Sequence, residues 1–280
     1  MAMEIGDFQV QSVMFGTLTL DGGAMFGVVP KVLWEKSIPA DERNRITLAT
    51  RGLVVRGSGL TIVVDTGSGD KGSEKFNDIY GINARRPDLV LQEMGIAPQE
   101  VTHVVLSHLH FDHCGGSTII KDDTVVPTFP NAKYLVQKKQ YEHANHPTPR
   151  DRASFMPANY EPLQAAGQLQ LVNGHIQIAH GLSLIISNGH TTGQQLLRVH
   201  GRDRDLIFMA DLVPTMSHLP VPYVMSYDML PVTTMQEKDF LLSEAVKRGH
   251  ILVFEHDPYH AAAVITKNKR AYTVKELVDV

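Results

Sequence analysis

Ser107-His108-Leu109-His110-Phe111-Asp112-His113-Cys114-Gly115-Gly116 places three imidazoles and a carboxylate within six residues, directly after the apolar run from Val101 to Leu106. Side chains alternate along an extended segment, so His108 and His110 face the same way. A turn at Asp112 and His113 brings the second pair round to a neighbouring position, and one loop then feeds two metal ions. Gly115 and Gly116 let the backbone turn sharply without a side chain in the path of the ions. A single histidine is most often a core residue with satisfied hydrogen bonds; this cluster, with its carboxylate, has the composition of a metal centre.

Outward from this loop, strand and helix signals interleave. Phe8-Gln9-Val10-Gln11-Ser12-Val13 and the stretch from Ile46 to Val55 alternate apolar and polar residues, the period of half-buried strands. Thr61-Ile62-Val63-Val64 reads as a buried strand that stops at Asp65-Thr66-Gly67-Ser68-Gly69, where glycine permits a tight turn. Pro87 to Gly95 carries Leu89, Leu91 and Met94 at helical spacing, with Pro near its start and Gly at its end. The second half predicts short strands near 183–187, 195–199 and 205–210, a helix from about Thr234 to Lys247, and a strand over Ile251 to Phe254. Residues 145–165, rich in Pro, Asn and Arg, read as a long surface loop, and Gly22 to Pro30 as a flexible flap or an ordinary connector. Strands mixed with few helices predict a layered α/β fold, and the even composition predicts one domain over residues 1–280.

The 280 residues include 26 Lys and Arg against 30 Asp and Glu, a net charge of −4 with no basic excess to hold a polyanion. Nucleic acid is therefore not an expected partner. One cysteine, Cys114, cannot close an internal disulfide. With neither a signal-like start nor a membrane-length apolar run, the expectation is a soluble, cytoplasmic protein without a membrane partner.

The histidine loop resembles the metal-binding signature of the metallo-β-lactamase fold superfamily, in the version found in N-acyl homoserine lactonases and their relatives. Asp65-Thr66-Gly67 is similar to that family's first motif, Asn188-Gly189-His190-Thr191-Thr192-Gly193-Gln194 to its third, Ala210-Asp211 to its fourth and Glu255-His256-Asp257 to its fifth. The resemblance implies an αββα four-layer sandwich with the metal site along one edge. It implies that His108, His110 and His190 hold one divalent ion and Asp112, His113 and His256 a second, with Asp211 bridging and Asp65 in support. Imidazoles with a few carboxylates suit zinc and also accommodate iron, manganese or cobalt. Seven ligands for two ions leave room for a bridging hydroxide that would attack a lactone or another carboxylic ester, with Asp112 steering the proton to the leaving group. Cys114 is expected to face away from the ions. The expected partner is a small-molecule ester or lactone, and a homodimer is compatible with the sequence.

Homoserine lactonases of this family commonly carry a Tyr shortly after the bridging Asp, whereas this chain continues Asp211-Leu212-Val213-Pro214-Thr215. His218 and Tyr223, in a Pro-stiffened segment, are the nearest replacements as hydrogen-bond donors to the reacting oxygen, with Tyr227 and Asp228 following. The resemblance also admits hydrolysis of thioesters, as in glyoxalase II, of phosphotriesters, or of phosphodiesters, the last disfavoured by charge. A non-hydrolytic di-iron redox role, as in flavodiiron relatives, is the reading from another class. Those relatives usually need a flavin domain, and 23 residues follow Asp257 here.

Overall fold

A computed structural model describes residues 2–280. The strands predicted next to the histidine loop form the middle of an eight-stranded mixed sheet in which Arg45–Gly57, Leu60–Val64, His103–Val105 and Lys133–Gln137 are neighbours. Val54, Val63 and Val104 are register partners and share one face; Val64, Val105 and Leu135 share the other. Both faces are buried, which is why these strands are apolar at successive positions. The first face packs with Val90 and Leu91 of the helix Pro87–Glu93, Ala144 of Lys138–Asn145 and Leu163 of Glu161–Ala165. The second meets Leu184, Leu197, Phe208 and Val253 of a seven-stranded sheet. The helix Pro231–Arg248 covers that second sheet with Leu241, Leu242 and Ala245. The layers run helix, sheet, sheet, helix, the αββα order expected. Each fully buried Val or Leu contributes about 1.5–3 kcal/mol relative to exposure, so the two inner faces dominate the stability.

Leu60–Val64, His103–Val105 and Lys133–Gln137 run parallel, and so do Leu206–Phe208 and Ile251–Val253. Parallel neighbours bring their carboxyl ends to one edge. Asp65, the loop from Ser107, Asp211 and His256 all leave strands there.

Three local expectations change. The long helix starts at Pro231, three residues before the predicted Thr234, because Pro231 fixes the first turn; it ends where Gly249 takes a left-handed φ of 67°. Residues 145–165 are not simply a surface loop. They contain short 3-10 turns and the helix Glu161–Ala165, and they bury Phe155, Tyr160 and Leu163. Gly22–Phe26 is a helix capped by the Asp21 side chain, which accepts from Ala24 N–H at 2.8 Å. Met25 and Phe26 are buried there beside Trp34, so this segment is fixed rather than a flap.

The loops after Val64 and His110 press together backbone to backbone. A Cβ on Gly116 would lie 2.3 Å from the Thr66 carbonyl oxygen and 2.5 Å from Pro87 Cγ. Gly116→Ala is expected to lose about 1–3 kcal/mol in urea unfolding of the metal-free protein. A loss below about 0.5 kcal/mol would show that the two loops can part without cost.

Candidate metal centre

His108, His110, His190 and Asp211 each offer a ligand atom within 4.8 Å of the others, and so do Asp112, His113 and His256. His108 Nε2 lies 2.9 Å from His110 Nδ1, which lies 3.1 Å from His190 Nε2. His256 Nε2 is 3.2 Å from His113 Nε2. Asp211 stands between the groups, with Oδ2 3.1 Å from His190 Nε2 and Oδ1 3.1 Å from His256 Nε2. The structure therefore brings together, in burial, all seven residues picked from the sequence as ligands.

The donor set fits cations better than it fits itself. Ring nitrogens face ring nitrogens, and Asp211 Oδ1 is buried without an aligned hydrogen-bond donor despite the nearby His256 ring. Nitrogen and oxygen lying side by side, rather than donor to acceptor, is the arrangement of ligands around an ion. A buried polar atom left without a partner costs about 1–3 kcal/mol. Imidazole and carboxylate together suit divalent transition ions.

The far sides of His113, His190 and His256 are held. Asp65 accepts from Ser107 N–H at 2.6 Å and Ser107 Oγ at 2.5 Å, and its Oδ2 lies 3.1 Å from His113 Nδ1. Glu255 Oε2 stands 2.9 Å from the same nitrogen. His190 Nδ1 faces Asp228 Oδ1 at 2.9 Å, and His256 Nδ1 donates to the Ala49 carbonyl at 2.7 Å. A ring that donates outward keeps its other nitrogen as a lone pair aimed inward. The backbone bends to deliver these groups: Asp65 and Ala210, the residue before Asp211, take left-handed φ values of 53° and 40°.

Electrostatics follow from the crowding. Burial, with the neighbouring His113, His110 and His190 rings, holds His108 well below the ordinary imidazole range, and burial with His190 does the same to His110. These rings stay neutral, as ligands must. Burial also opposes charge on His113 and His256, but Glu255 and Asp211 lift His113 well above its usual value, and Asp211 lifts His256 to about 9. Burial disfavours the Asp211 carboxylate, yet His113, His190 and His256 keep it ionised.

The centre opens into a cavity of about 110 Å³ walled by Leu20, Met25, Phe111 and Met225, with Tyr80 and Tyr227 beside Asp112. His218 and Tyr223 are not in it, which corrects the expectation for both. His218 is buried and stacked on Phe26 at 4.5 Å; its Nε2 donates to the Met25 carbonyl at 2.8 Å and its Nδ1 accepts from Thr215 Oγ1 at 2.8 Å. With both nitrogens spent, it has nothing left for a substrate. Tyr223 packs edge-on against Phe26. Tyr227 takes the place expected of Tyr223 in the same segment. Tyr80 carries no motif; its one signal is its spacing from Phe76, since the two rings pack on Phe111. Cys114 Sγ donates to the Leu109 carbonyl at 3.4 Å, away from the ligands as expected, and burial pushes its thiol up to about 12.

A family profile described as the metallo-beta-lactamase superfamily matches residues 49–256. The chain belongs to this superfamily. Within it, the chain is 26% identical over 175 residues to the N-acyl homoserine lactonase AttM of Azorhizobium caulinodans, covering 60% of this chain and 62% of that one. It is 29% identical over 111 residues to an N-acyl homoserine lactonase of a Bacillus species, covering 39% of this chain and 37% of that one. The matches thus span less than two thirds of these curated relatives. Among solved structures, a probable metal-dependent hydrolase from Staphylococcus aureus superposes with a TM-score of 0.89 at 27% identity, covering 99% of this chain and all of that one. AidC, a dizinc quorum-quenching lactonase, superposes with a TM-score of 0.81 at 19% identity, covering 100% of this chain and 98% of that one, and shares the superfamily fold. No helix among the described residues is long and apolar enough to cross a membrane.

His218 yields a stability test. Burial lowers it to about 3, so below pH about 6.5 the unfolded chain takes a proton that the folded chain refuses. The parent's stability advantage over His218→Gln, from urea unfolding of metal-free protein, is expected to shrink by about 1 kcal/mol between pH 7.5 and 5.5. An advantage that stays constant would mean that folded His218 protonates as readily as an exposed one.

Proposed function

We propose that this chain is a dinuclear metal-dependent hydrolase that opens a lactone or cleaves another small carboxylic ester. The observation that carries this reading is the convergence of five imidazoles and two carboxylates, three of the rings and both carboxylates opening onto a small cavity with apolar walls at Leu20, Met25, Phe111 and Met225. His108, His110 and His190 hold one ion and Asp112, His113 and His256 the other, with Asp211 between them. Two such cations supply the positive charge that activates water and polarises an acyl oxygen. Zinc is the favoured occupant, supported by the imidazole-rich donor set and by a neighbour described as a dizinc lactonase.

The protein's own groups set the rest. Asp112, at the cavity wall beside His113 and His256, would accept a proton and return it to the leaving oxygen. Burial raises the hydroxyls of Tyr80 and Tyr227, so both stay protonated and can donate to an oxygen that gains negative charge. The cavity holds about the volume of four waters, at about 30 Å³ each, which suits a lactone ring or a short ester head. A longer acyl tail would run outward past Leu20, Met25 and Met225. The net charge of −4 argues against a polyanionic substrate. The names of the curated relatives support the lactone within this class. The N-terminal residues Leu18, Met25 and Phe26 pack with Met225, which supports reading residues 1–280 as one domain.

Elemental analysis of the purified protein is expected to give two divalent ions per chain, and His256→Ala one. Two ions retained in His256→Ala would remove that residue from the ligand set.

Turnover of lactones and carboxylic esters is expected to exceed that of thioesters, phosphotriesters and phosphodiesters in a common panel. A phosphodiester cleaved faster than every lactone and ester would replace the proposal with a phosphodiesterase. Tyr227→Phe is expected to lower kcat on the best substrate about a hundredfold, roughly 3 kcal/mol in barrier, with both ions retained. A change within about twofold would leave Tyr227 a wall residue only.

A further inference from the structure

His190 is the one proposed ligand of its ion that does not come from the histidine loop or directly follow a central parallel strand. It stands in the turn between Leu182–Ser187 and Gln194–Val199, where backbone alone would fix it loosely. The structure holds that turn through the outer helix Pro231–Arg248. The Glu237 carboxylate accepts from Ser187 Oγ at 2.7 Å, from Asn188 N–H at 3.0 Å and from Gly189 N–H at 3.1 Å, the three residues before His190. Gly189 lies flat on the helix, where a Cβ would come within 2.3 Å of Thr234 Oγ1.

The next helix residue grips the other side. Lys238 is fully buried, and its Nζ donates to the Tyr223 carbonyl at 2.7 Å. The segment it holds continues to Asp228, which faces His190 Nδ1, and to Met229 and Leu230, whose N–H groups donate to the carbonyls of His190 at 3.0 Å and Gly189 at 2.8 Å. A buried lysine amine with one carbonyl partner is costly to place, and burial pulls its pKa down to about 7 against the opposing pull of Asp228. Neither residue is required to seat the helix, since Leu241, Leu242 and Ala245 do that, and neither lines the cavity at the metal centre.

We propose that Glu237 and Lys238 are positioning residues for the His108, His110 and His190 ion, acting together through the Ser187–Gly189 turn and the Tyr223–Asp228 segment to set where His190 stands. The proposal rests on the ligand assignment above and is independent of the substrate. Supporting groups around metal-bound histidines commonly change metal affinity by 10–100-fold, and that is the size expected here.

The test is zinc affinity by chelator competition, with the absorption spectrum of the cobalt-loaded protein, in two backgrounds. In His256→Ala, where the first ion remains, Glu237→Ala and Lys238→Met are each expected to weaken zinc 10–100-fold and alter the cobalt spectrum. Glu237→Gln keeps one acceptor oxygen and is expected to recover most of the loss. In His190→Ala, where the second ion remains, the same changes are expected to leave zinc affinity within about twofold. Equal weakening in both backgrounds, or none in either with only a lower Tm, would overturn the proposal and leave the helix a general stabiliser. Should Glu237→Ala not fold, Glu237→Asp, one methylene short of the turn, carries the same expectation. His190→Ala retaining two tightly bound ions would overturn the ligand assignment itself, and the proposal with it.

Discussion

Imidazoles and carboxylates crowded against one another in burial are the constraint around which this chain is organised. Five rings and two carboxylates crowd into one buried cleft, where ring nitrogens lie against ring nitrogens and Asp211 Oδ1 has no aligned donor. Such a cluster relaxes apart unless each side chain is held from behind. Asp65 and Glu255 stand behind His113, Asp228 behind His190 and the Ala49 carbonyl behind His256. The outward bond fixes which nitrogen carries the proton, so orientation and protonation are settled by one contact. The cost of assembling the cleft is spread over these contacts and over the strained backbone at Asp65 and Ala210.

That requirement explains the architecture. A group held from behind needs a rigid element on its far side, and two sheets packed face to face offer several strand ends at one edge. Arg51 shows how the sheets are locked at that edge: from the strand Arg45–Gly57 its guanidinium donates to the carbonyls of Phe254 and Asp257 at 2.7 and 3.0 Å, bracketing His256. Burial lowers the Arg51 pKa, opposed by Asp257 and Glu255, so the cation is kept where its neighbours are acidic. Packing between layers and placement of ligands are here the same contacts.

What the sequence discloses follows from how local each signal is. The strands Leu60–Val64 and His103–Val105, the helix Pro87–Glu93 and the histidine loop are legible because apolar period, capping and ligand spacing lie within a few residues. His190, Asp211 and His256 are legible only through the resemblance, since each is a single polar residue after a strand. Phe155 was hidden in a stretch whose Pro and Asn content reads as loop, although it packs on His110 at 4.8 Å. Glu237 and Lys238 look like any charged pair on an amphipathic helix. Nothing in their neighbourhood along the chain says that both turn inward to distant loops.

The missing tyrosine after Asp211 has a physical reason in the path of the chain. Leu212 to Thr215 are all buried; Leu212 and Val213 sit in the main core, and the Pro214 carbonyl accepts from His256 N–H at 2.9 Å. A segment that runs back into the core cannot also lay a phenol over the ions. The phenols at the cavity come instead from Tyr227, after the segment has returned to the surface, and from Tyr80, on a helix far away in sequence. The segment that carries Tyr227 is tied to its neighbours: Arg150 donates to the Ser226 carbonyl, and Ser226 N–H to the Ala24 carbonyl at 2.8 Å. The candidate metal ligands and the tyrosines proposed to meet the substrate are thus carried by different elements of the chain. Under the proposed function, substrate preference would change through Met25 or Tyr80 while the ions stay where they are.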